Sequence, residues 1–134
     1  MIKLTIIGAG SSVFTKNIVT DLLTIDKFKT MHIALMDINE ERLKISHELI
    51  SAVAQKLNAK PTIETFTNRK ESLKDADFVQ STIQVGGYKP STVIDFEIPK
   101  EFGLKQTIAD TLGIGGIMRG LRTIPILLDI AKDI

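Results

Sequence analysis

Lys3-Leu4-Thr5-Ile6-Ile7-Gly8-Ala9-Gly10-Ser11-Ser12-Val13-Phe14 is the stretch that decides how this chain folds. Five mostly apolar residues run into two glycines spaced by one alanine. Small hydroxyl residues follow, and then a helical pattern begins. Such a run reads as a buried strand, a tight turn and a helix N-terminus. Gly8 permits the turn, and Gly10 leaves a phosphate room to approach the backbone. The first amides of the helix, from Ser11 and Ser12 onward, face that anion together with the helix dipole. Val13 stands where the third glycine of a G-x-G-x-x-G pattern would be, so an ordinary strand-to-helix turn fits the stretch as well.

Working outward, Phe14, Ile18, Leu22 and Ile25 recur at helical spacing, with Val19 and Leu23 widening the stripe. His32-Ile33-Ala34-Leu35-Met36-Asp37 is a second short apolar run that ends in an acid. In a βαβ unit an acid at that point sits beside an adenosine ribose, accepts hydrogen bonds from its hydroxyls and repels a 2′-phosphate. Asp37 equally fits a cap for the helix from Glu40, and Arg42 is a possible 2′-phosphate partner. Glu40 to Leu57 is the second helix, with Leu43, Leu49, Ile50, Val53 and Leu57 as its core face. Pro61 to Phe66 alternates as a third strand, Asn68 to Asp75 is a short polar helix or turn, and Asp77 to Ile83 is the fourth strand. This order predicts an α/β, Rossmann-like fold, a mostly parallel sheet with helices on both faces. Ligands of such sheets bind beyond the strands' carboxyl ends, where Gly8, Asp37 and Gln84 are expected to converge.

Size and composition bound the function. The 134 residues make room for one domain. Seventeen basic and sixteen acidic residues nearly cancel, which gives no electrostatic reason to expect nucleic acid or an anionic membrane. The absence of cysteine leaves no disulfide and no thiolate ligand in this chain. No secretory pattern or membrane-length apolar run is present, so a cytoplasmic protein is expected. His32 and His47 read as structural residues, since neither has a ligand partner at metal-binding spacing. The chain stops within an apolar helical pattern, Ile124 to Ile134, and is expected to be part of a longer protein.

From Gln84 the sequence changes character. Gln84-Val85-Gly86-Gly87-Tyr88-Lys89-Pro90 leaves the fourth strand through two glycines. Asp95 and Glu97 follow within an apolar frame, then Gln106-Thr107-Ile108-Ala109-Asp110-Thr111 and Leu112-Gly113-Ile114-Gly115-Gly116. A long helix carries Arg119 and Arg122, three apart and therefore on one face. Long glycine-punctuated segments that hold acids are uncommon in a compact domain unless they shape a site.

These separated runs, with Ile94-Asp95-Phe96-Glu97-Ile98-Pro99, Gly115-Gly116-Ile117-Met118-Arg119 and Leu121-Arg122-Thr123-Ile124-Pro125, resemble glycoside hydrolase family 4, and within it the alpha-galactosidase branch. The opening Gly8-Ala9-Gly10-Ser11 and the strand end Leu35-Met36-Asp37-Ile38 resemble the same family. The resemblance implies an unusual glycosidase, an exception to two-carboxylate hydrolysis. Such enzymes oxidise C3 of the sugar with NAD, remove the C2 proton beside a divalent metal, commonly manganese, eliminate the aglycone, add water and return the hydride. It further implies that Gly8, Gly10, Ser11 and Ser12 seat the pyrophosphate, Asp37 the ribose, and Gln84 the cofactor. Asp95 matches the general acid that protonates the leaving oxygen, a role its apolar flanks suit, since burial would raise a carboxyl pKa. Asp110 is a candidate for sugar hydroxyls and Arg119 for substrate or cofactor, while Arg122 fits a helix-face salt bridge equally well. Tyr88 is assigned to packing or substrate contact.

The phospho-glycosidase branch carries an arginine shortly after the double glycine, whereas Gly86 to Asp95 holds none, which favours an unphosphorylated alpha-galactoside. The family's metal-binding cysteine and histidine and its base tyrosine are expected beyond residue 134, in a homo-oligomeric whole protein, and the chain alone is expected to be inactive. Two alternatives stand beside this reading. An NAD-dependent 2-hydroxy acid dehydrogenase shares the opening fold but wants a carboxylate-clamping arginine after the fourth strand. A non-catalytic NAD-binding module would suit a short chain without base or metal ligands.

Overall fold

A computed structural model describes residues 1–107 and 112–134, which fall into two compact units, Met1–Ile83 and Gln84–Ile134. Asp110, one of the expected site residues, lies outside the described residues.

The first unit is a four-stranded, all-parallel sheet of order β3-β2-β1-β4, formed by β1 (Lys3–Ile7), β2 (His32–Met36), β3 (Thr62–Phe66) and β4 (Phe78–Ser81). Every residue of β1 is buried, as the continuous apolar run of a strand covered on both faces requires. Register places Leu4 beside Ile33 and Ile6 beside Leu35. These four side chains meet helices α1 (Ser12–Leu23) and α2 (Glu40–Lys56) in one core with Val19, Leu23, Leu43 and Ile50. Full burial of each large aliphatic there contributes about 1.5–3 kcal/mol. The opposite face carries Thr5, whose hydroxyl donates to the carbonyl of Ser72 at 2.8 Å and so fixes the short helix α3 (Arg69–Leu73) over the sheet. Helices therefore cover both faces, as expected.

The buried face of α1 differs from the expected stripe. Phe14 and Ile25 are exposed, and Thr15, Val19 and Leu23 take the core. Two apolar stripes lie side by side on this helix, and spacing does not choose between them. The choice falls on Thr15, a polar residue with a buried partner, because its hydroxyl donates to the Ala9 carbonyl at 3.0 Å. On α2, Leu43 and Ile50 are buried as expected, while Leu49, Val53 and Leu57 are only partly so. Ser46 and Ala54 complete the stripe. The fourth strand is shorter than Asp77 to Ile83. At its start the Asp77 carboxylate accepts the Lys3 amide at 2.7 Å, and beyond its end the Thr82 hydroxyl turns to the Gly8 carbonyl at 3.0 Å.

The second unit begins with the glycine loop and a π-helical turn, Lys89–Ile94, that runs directly into α4 (Asp95–Glu101). After it comes α5 (Ile114–Asp133), the long helix expected around Arg119 and Arg122. No helix among the described residues is long and apolar enough to cross a membrane.

Candidate functional site

In the first unit the glycine turn is built against the end of β2. The amides of Gly8 and Ala9 both donate to the Met36 carbonyl at 2.9 Å. Gly8 has φ +86°, and a Cβ there would lie 2.8 Å from the Thr82 carbonyl oxygen. Only glycine satisfies both conditions. Ser11 occupies the cap position of α1 without a side-chain cap bond. The amides of Ser12, Val13 and Phe14 therefore have no capping side chain and, at the first turn of a helix, no intrahelical acceptor. They present three donors and the positive helix end to an anion. Val13, in place of the third fingerprint glycine, is 64% exposed. Its side chain points away from the sheet, so the close helix–strand approach that demands glycine there does not arise.

Asp37 is a member of this turn. Its Oδ2 accepts the Gly10 amide at 2.7 Å and its Oδ1 accepts the Asn39 amide at 2.9 Å. The cap of α2 is Asn39, whose side chain accepts the Arg42 amide at 2.9 Å, so the helix-cap role open to Asp37 is filled by its neighbour. The carbonyl on the other side of the same peptide, Ala9 O, accepts the hydroxyls of Thr15 at 3.0 Å and Ser46 at 2.7 Å, both fully buried. The Ala9–Gly10 peptide is thus gripped at both ends. Thr15 and Ser46 escaped the sequence reading. Their signal is a hydroxyl residue standing at helical spacing within an apolar stripe, Thr15 four before Val19 and Ser46 three after Leu43.

His32 lies on the α3 side of the sheet, with Nε2 2.6 Å from a Glu64 carboxylate oxygen, a structural role. His47 lines a surface groove with Glu40, Lys44 and Thr65.

In the second unit, Gln84, Ser91 and Arg119 form one network and Asp95 with Arg122 a second. The Gln84 side-chain amide donates to Ser91 Oγ at 2.7 Å, and Ser91 Oγ donates to the Gly87 carbonyl. Arg119 Nη2 donates to the Ser91 carbonyl at 3.0 Å. Ser91 is the buried hub of this network and was not singled out as a site residue. Its carbonyl lies in the π-turn, where the Asp95 amide that would serve it in an α-helix reaches back to Pro90 instead. Asp95 is 7% exposed and makes a two-point ion pair with Arg122, Oδ1 to Nη1 at 3.1 Å and Oδ2 to Nη2. The hydrogen bond to Asp95 raises the guanidinium pKa above its ordinary value. The expected general acid is therefore buried, but not alone: both carboxylate oxygens are engaged, and proton delivery from Asp95 requires that pair to open. Gly86, at φ +102°, lies against the same guanidinium, and a Cβ there would be 3.1 Å from Arg122 Nε. A shallow cleft lined by Ser91, Asp95, Gln106 and Arg119 opens beside both networks.

A parallel sheet of order β3-β2-β1-β4, with a glycine turn after β1 and an acid after β2, defines a Rossmann-like α/β protein. The sequence model of the family 4 glycosyl hydrolases matches residues 3–134, and the chain belongs to that family. It is 53% identical to an alpha-galactosidase of Bacillus subtilis (strain 168) over 133 residues, covering 99% of this chain and 31% of that protein. An alpha-galactosidase of Rhizobium meliloti (strain 1021) is 34% identical over 132 residues, 98% of this chain and 27% of that protein. Among solved structures, the 6-phospho-beta glucosidase from Thermotoga maritima with NAD and glucose-6-phosphate superposes with a TM-score of 0.85 at 26% identity, over 98% of this chain and 30% of that one. The chain thus spans less than a third of the length of these relatives.

Proposed function

We propose that this chain is the nucleotide-holding part of an NAD- and divalent-metal-dependent alpha-galactosidase that works by oxidation at C3 and elimination and addition across C2. The observation that carries this is the 53% identity to an alpha-galactosidase over 99% of the chain. The first unit's own chemistry supports it. Uncapped amides at the start of α1 suit a pyrophosphate, and Asp37, the acid after β2 held beside that turn, suits a ribose. Bound NAD would supply reversible hydride acceptance, which no side chain offers. A divalent metal, manganese in this reading, would be held by the cysteine and histidine that the family resemblance implies outside this chain.

In this reading Ser12, Val13 and Phe14 receive the pyrophosphate through their amides and Asp37 faces the ribose. Gln84 serves the cofactor and Arg119 the substrate, the two joined through Ser91; Asp110 is assigned to sugar hydroxyls on the resemblance alone. Asp95 acts as leaving-group acid in a state where Arg122 has released it, and as a tie between α4 and α5 otherwise. The unphosphorylated substrate, the cytoplasmic location and the homo-oligomer belong to the same proposal. The dehydrogenase alternative is not favoured, because the family match covers the chain and no arginine lies between Gly86 and Asp95.

The test is to strip the whole protein of nicotinamide nucleotide and assay an alpha-galactoside in deuterated water. Hydrolysis and C2 deuterium exchange are expected to vanish together and to return with added NAD. Undiminished hydrolysis by the stripped protein overturns the proposal.

A further inference from the structure

Gly10 is expected to be glycine so that a phosphate can come close, but its surroundings give another reason. A Cβ on Gly10 would lie 2.5 Å from Asp37 Oδ2 and 2.9 Å from both Asp37 Cγ and Arg42 Cβ. These atoms belong to the protein itself. The Gly10 amide is likewise committed, donating to Asp37 Oδ2 at 2.7 Å. The Asp37 carboxylate is held from its other side by the Asn39 amide. A carboxylate with one backbone donor on each oxygen has a fixed orientation and keeps lone pairs for further donors.

We propose that Asp37 is a positioning residue for the cofactor turn as well as its ribose acid, and that Gly10 is glycine because Asp37 and the start of α2 occupy the space of its side chain. The inference rests on the reading of this turn as the nucleotide seat. It adds that the acid and the turn are one preassembled unit. Two consequences follow. The Gly10 amide is not a phosphate donor, which leaves that task to Ser12, Val13 and Phe14. A pinned Asp37 also cannot swing aside to admit a 2′-phosphate, so discrimination against NADP resides in the turn as much as in the charge.

The experiment is a double-mutant cycle of Gly10→Ala and Asp37→Ser in the whole protein, read by the thermal midpoint without cofactor and by calorimetric titration with NAD and NADP. Gly10→Ala is expected to lower the cofactor-free midpoint by several degrees, and clearly less in the Asp37→Ser background. Asp37→Ser alone is expected to narrow the preference for NAD over NADP by about tenfold or more, the loss of one charged contact to the ribose. If Gly10→Ala fails to fold, folding of the double variant supports the proposal, and failure of a triple variant that also carries Arg42→Gly, which clears the second obstruction, overturns it. A cofactor-free midpoint unmoved by Gly10→Ala overturns it, since the glycine would then serve the phosphate alone; a midpoint lowered equally in both backgrounds overturns the part assigned to Asp37 and leaves the crowding to Arg42 Cβ. The midpoint arm involves no nucleotide, so it decides this inference even if the protein proves not to use NAD.

Discussion

Removing both hydroxyls that converge on the Ala9 carbonyl should cost more than the sum of removing each. Thr15 Oγ1 and Ser46 Oγ reach that oxygen at 3.0 and 2.7 Å, from α1 and α2 respectively, and both residues and Ala9 are fully buried. Either hydroxyl alone still satisfies the carbonyl. Thr15→Val, nearly isosteric, and Ser46→Ala should therefore each lose one hydrogen bond, about 0.5–1.5 kcal/mol. The double variant leaves a buried carbonyl with neither donor, a further penalty of about 1–3 kcal/mol. The assay is chemical denaturation followed by far-UV circular dichroism, because the chain has no tryptophan to report by fluorescence. Distant, independent sites add to within about 0.5 kcal/mol. A double variant whose loss equals the sum of the singles within that margin would falsify the claim that this carbonyl depends on the two hydroxyls together.

The corrected face of α1 makes a second prediction: Leu23→Ala should destabilise by about 2–5 kcal/mol, and Phe14→Ala, at a position 63% exposed, by no more than about 0.5 kcal/mol. Equal losses on denaturation would restore the stripe expected from spacing. A third concerns the buried ion pair. Asp95→Asn and Arg122→Gln should each lower activity, and the exchanged pair Asp95→Arg with Arg122→Asp separates the two roles of Asp95. Recovery of the thermal midpoint without recovery of turnover marks Asp95 as a proton donor. Recovery of both marks it as a tie between α4 and α5.

Some of these features were legible without coordinates. Strands read as continuous or alternating apolar runs, and the β-α-β-α-β order led to the parallel sheet because a right-handed crossover leaves few other arrangements. Gly8 was legible because a strand that must turn within one residue needs a positive φ. Gly10 was recognised for its type, while the crowding around it was not legible. The atoms that crowd it, Asp37 Oδ2 and Arg42 Cβ, lie 27 and 32 positions later in the chain, and no local pattern announces them. Thr15 and Ser46 were passed over because a hydroxyl in an apolar stripe counts against burial until its acceptor is known. Asp95 is buried, but the apolar neighbours read as its frame are not, since Ile94 and Ile98 are exposed. Its partner Arg122 is 27 residues away on another helix, and an even choice between a surface bridge and something more could not be resolved by spacing.

Local chemistry in the chain was enough to establish the sheet order's class, the glycine turn, the acid after β2 and the family they point to. Each of these depends on neighbours within a turn or a strand. The partners of the buried polar groups, which decide what Gly10, Asp37, Thr15, Ser46 and Asp95 do, emerged only from the folded chain. A hydrogen bond or an ion pair is satisfied by atoms close in space, and the chain brings those atoms together from positions that have no fixed separation along it.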